Sequence, residues 1–69
     1  MSVVKVVELI GISPISWEDA VKCALAEAAK TIQNIRSVYV KACNANVEDN
    51  VIVEYKAIVK VCFVVEQEL

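Results

Sequence analysis

Histidine is absent from this chain, and glycine and proline occur once each, at Gly11 and Pro14. Without histidine no side chain has an ordinary pKa suited to proton transfer at neutral pH, and one glycine cannot build a phosphate-cradling loop. There is likewise no Ser/His or Cys/His pair to activate a nucleophile, so an enzyme is not expected. The three cysteines, Cys23, Cys43 and Cys62, are odd in number and form no C-x-x-C pair. That argues against a disulfide framework and against a zinc site. They read as small buried apolar residues in a reduced cytoplasm, with a redox-active thiol as the alternative.

Charge is also sparse in one respect. Seven Lys and Arg residues are scattered among nine Asp and Glu, for a net charge of −2, and this gives no basic patch for nucleic acid. No apolar run approaches the ~20 residues of a membrane span, and the one after Lys5 is too short for a signal peptide. A cytoplasmic protein is expected.

What is abundant is hydrophobicity, at 58% of only 69 residues. One domain, 1–69, is expected. A core of that size rarely supplies more than about 3–5 kcal/mol, and a small fold exposes a large surface, so this composition points to self-association.

The clearest pattern lies at 51–65. Its odd positions, Val51, Val53, Tyr55, Ala57, Val59, Val61, Phe63 and Val65, are all apolar, the mark of a strand with one face on a core. Its even positions mix Glu54, Lys56 and Lys60 with Ile52, Ile58, Cys62 and Val64, so the second face is not simply a wet one. A first strand is expected at 3–10, ended by Gly11 and the Pro14 connection. Ser16 is a good helix N-cap, with Glu18 and Asp19 where the dipole favours negative charge. The helix is expected over 17–34, with Ala20, Val21, Ala24, Leu25, Ala28 and Ile32 as its apolar stripe and Asn34 as its C-terminal cap. A second strand, 36–47, puts Val38, Val40 and Ala42 on one face and Ser37, Tyr39, Lys41 and Cys43 on the other. Glu48-Asp49-Asn50 then turns the chain into the third strand. The fold expected is α+β, ordered β-α-β-β, a mixed or antiparallel three-stranded sheet wrapped around one helix, with the third strand central. One helix covers one face. The other would carry Ile52, Ile58, Cys62 and Val64, and copies of the chain are expected to cover it.

Val3-Val4-Lys5-Val6-Val7-Glu8-Leu9-Ile10-Gly11, Ser16-Trp17-Glu18-Asp19-Ala20, Ala28-Ala29-Lys30-Thr31-Ile32-Gln33-Asn34 and Lys60-Val61-Cys62-Phe63 together resemble a dodecin. The resemblance spans nearly the whole chain. It implies a hollow homo-dodecamer that is not an enzyme and that binds, stores or sequesters a small ligand, by family default a flavin such as FMN or riboflavin. In flavin-binding dodecins a tryptophan near the start of the second strand stacks on the flavin ring, and a glutamine on the third strand bonds its polar edge. Those positions here are Ser37 and Lys56, which resembles the family members lacking the stacking tryptophan. Tyr39 offers a weaker platform, and Arg36 and Lys56 suit an anionic ligand; alternatively Tyr39 is an interface aromatic and the cations pair with Glu54 or another carboxylate. The calcium dodecins, which carry a tryptophan in the Ser-Trp-Glu segment, imply a second ligand, calcium. Its candidate carboxylates are Glu48, Asp49, Glu54, Glu66 and Glu68, each read in the first place as a solvated surface charge. A shell without organic ligand is the remaining reading. Trp17 and Tyr55 read as packing residues.

Overall fold

A computed structural model describes residues 2–66. Strand β1 is Ser2–Ser13, helix α1 is Trp17–Ala29, β2 is Ile35–Glu48 and β3 is Val51–Glu66. The strands form one sheet in the order β1-β3-β2, with both outer strands antiparallel to β3. This is the expected α+β order with the third strand central.

The first strand runs past Gly11 to Ser13, three residues beyond its expected end, because Ile12 and Ser13 go on pairing with Lys56 and Tyr55. Gly11 is needed for a close approach and not for a turn. It pairs with Ala57, and α1 crosses above it so tightly that a Cβ there would collide with the Ala20 carbonyl oxygen and lie 3.1 Å from the Ala24 Cβ.

Ser16 caps α1 as expected: its Oγ accepts the Asp19 N–H at 3.0 Å, with Glu18 and Asp19 in the first turn. The helix is shorter than 17–34. Lys30 is the C-cap, and the Thr31 and Ile32 N–H groups both reach back to the Ala28 carbonyl, at 3.2 and 2.9 Å. This tightens and ends the last turn while Ile32 packs against the core. Asn34 does take a left-handed conformation, φ 63°, but uses it to enter β2. The hairpin turn has positive φ at both Asp49 (51°) and Asn50 (65°), the primed geometry that matches strand twist.

The core is small: Ala20, Ala24 and Ala28 of α1 lie on Ala57, Val59 and Val61 of β3. Thirteen helical residues span about 20 Å, whereas the sixteen of β3 span about 53 Å. The helix therefore covers only the middle of the strand. Val51 and Val53, expected in the core, are 60% and 40% exposed because they lie beyond it.

Three bulges shift the strand faces. The β2 register skips Arg36 and Lys41, and the β3 register skips Val53. The bulge at Lys41 puts Ala42 opposite outward Ile58 and Cys43 opposite buried Ala57, reversing the faces expected for these two residues. Ile52 pairs with Val47 one step after Glu54 pairs with Asn46, so it does not continue the outward row of Ile58, Cys62 and Val64.

The resulting body measures 58 × 19 × 12 Å with a radius of gyration of 14.5 Å, against about 11 Å for a compact domain of this length. Its accessible surface is 5190 Å², where a compact monomer of 7.6 kDa would expose about 4300 Å².

Candidate functional site

Among the described residues no element covers the sheet face away from α1, and the register lays its residues out in rows across the three strands. Val6, Cys62 and Ser37 form one row, Glu8, Lys60 and Tyr39 the next, then Ile10, Ile58 and Ala42, then Ile12, Lys56 and Asn44. Val6, Ile10, Ile12 and Tyr39 are 52%, 60%, 49% and 63% exposed. Isolated exposed apolar residues are ordinary; a contiguous sheet of them marks a binding or assembly surface.

Charge is arranged across this face. Lys41 Nζ donates to Glu8 Oε1 at 3.2 Å, a bridge that passes over β3 to join the two outer strands. Glu54 Oε1 accepts from Asn46 Nδ2 at 2.8 Å. Lys56 and Lys60, both half-buried, have no carboxylate within 4.0 Å among the described residues.

Of the residues singled out in the sequence, Ser37, Tyr39 and Lys56 all fall on this face. Ser37 and Tyr39 are neighbours, two residues apart on one side of β2. Lys56 is not near them: Ser37 lies opposite Cys62, six residues and about 20 Å along β3 from Lys56. Within one chain Ser37 and Lys56 therefore do not meet. Arg36 is an exposed bulge residue.

The carboxylates are dispersed. Glu48 and Asp49 are exposed at the hairpin turn, Glu54 is engaged by Asn46, Glu66 ends β3, and Glu68 lies outside the described residues. Among the described residues no group of three or more His, Cys, Asp or Glu stands ready for a metal ion. The donor set of one chain therefore does not fit calcium, which needs six or more oxygens. For a flavin, Ser37 offers no ring to stack on, and Tyr39 is the aromatic available on this face.

Trp17 packs as expected. Its ring meets Tyr55 edge-on, with centroids 4.9 Å apart at 84°, and its Nε1–H donates to the Asn44 carbonyl at 2.8 Å. A polar cluster not anticipated from sequence lies under the helix start. Ser13, fully buried, donates to Asp19 Oδ2 at 2.6 Å and accepts the Ile15 N–H at 2.9 Å. The cysteines are not buried as expected, Cys23 and Cys43 being exposed and Cys62 half-buried; the Cys23 thiol donates to the same Asp19 oxygen at 3.7 Å. Its pKa is raised, first by the loss of water around the sulfur and then by the Asp19 charge and hydrogen bond. Only the i, i+4 spacing of Asp19 and Cys23 hinted at this. No helix among the described residues is long and apolar enough to cross a membrane.

One helix laid across the middle of a long three-stranded sheet, with apolar residues exposed on the other face, defines a small α+β fold of a recognisable type. The dodecin family model matches residues 3–66. A crystal structure of a protein from Thermus thermophilus is 32% identical, with 99% of this chain and 100% of that chain covered and a TM-score of 0.93. The calcium-chelating immunodominant antigen of Mycobacterium tuberculosis, a calcium dodecin described with a novel calcium-binding site, is also 32% identical, over 97% and 99% of the two chains, at a TM-score of 0.81. The dodecin of Streptomyces coelicolor, 24% identical over 97% and 96%, shares the fold at a TM-score of 0.92. Among curated proteins nothing matches. The chain belongs to the dodecin family.

Proposed function

We propose that this protein is a non-enzymatic subunit of a homo-dodecameric shell in the cytoplasm that binds and holds a small ligand on its open sheet face. The observation that carries the reading is that face itself, where exposed apolar residues alternate with charged rows across three strands and no element among the described residues lies over them. The roughly 20 Å between Ser37 and Lys56 supports a site made from more than one copy. Tyr39 is the ligand-stacking candidate, Lys56 and Arg36 the candidates for an anionic group, and Ser37 leaves the site open where flavin-binding relatives carry a tryptophan.

Flavin is the first ligand to test, by titrating the protein into FMN and riboflavin and following flavin fluorescence. Quenching that saturates supports the reading, and its absence with either flavin discards flavin as the ligand. Calcium is the second reading, favoured by the 32% identity to a protein named calcium dodecin. Calorimetry on chelator-treated protein tests it: heat of binding and a rise in Tm support calcium, and neither appearing removes it.

A further inference from the structure

We draw no further inference here: the strongest candidate, the apolar groove between α1 and the outer strand β1, lined by Val7, Leu9, Ile12, Ala24, Ala28 and Ile32, carries nothing because nothing in the structure shows what covers it.

Discussion

At the scale of single residues, Gly11 carries the strongest constraint. Gly11→Ala would drive a methyl group into the Ala20 carbonyl, so either α1 lifts or β1 bends. We expect a loss of about 2–3 kcal/mol, at the upper range for overpacking, measurable by denaturant unfolding. The sequence placed Gly11 at a strand end, the commoner use of a lone glycine. A crossing helix is a tertiary event that no local pattern announces.

The Ser13–Asp19–Cys23 cluster has a pH signature. The Cys23 thiol has a raised pKa in the fold, so between its ordinary value and the raised one the folded chain holds a proton that the unfolded chain has released. Stability from this group is intact below the ordinary thiol pKa and is lost as pH rises through the raised one. Cys23 should react with iodoacetamide more slowly at pH 8–9 than a free thiol does, and Asp19→Asn should speed it up by removing the charge and the anionic acceptor. A rate equal to that of free cysteine in the native chain would contradict this.

At the scale of elements, the two features that sequence could not anticipate are helix length and strand register. Periodicity carried the helix on to Asn34 because Ile32 continues its stripe. In the fold Ile32 reaches the core from the coil after Lys30, which gives the same apolar spacing without the helix. Alternation in β2 was read through Lys41, where an extra residue reverses the faces of Ala42 and Cys43. A bulge leaves little mark on composition, so the outward face was legible on β3 and only partly so on β2. Ser37, Tyr39 and Lys56 were placed on the correct face because no bulge intervenes between them and the paired core rows. That Ser37 and Lys56 sit far apart required the register itself.

Trp17 ties two elements together, from the first turn of α1 to Tyr55 and the Asn44 carbonyl. Trp17→Ala should cost about 2–3 kcal/mol, counting a half-buried aromatic with its edge contact. It should also raise amide hydrogen exchange over 44–55 more than over 57–61, since the hairpin arm loses its anchor while the alanine-packed centre keeps its own. Uniform loss of protection would contradict a local role for Trp17.

At the scale of the whole molecule, the single chain is a thin plate. A body 58 Å long and only 12 Å thick cannot enclose a core from both sides, and α1 covers about two fifths of β3 by length. The hydrophobic excess that marked the sequence is therefore not spent inside the protomer. It lies on the open face and on the hairpin arm, at Val4, Val6, Ile10, Ile12, Val47 and Val51. The proposed assembly accounts for this exposure, since copies of the same chain would cover it.

The most direct test is the mass of the native protein in solution, by light scattering after gel filtration at micromolar concentration. A single species of about 91 kDa, twelve times the 7.6 kDa chain, is the predicted result. A 7.6 kDa monomer that stays folded on dilution would contradict it.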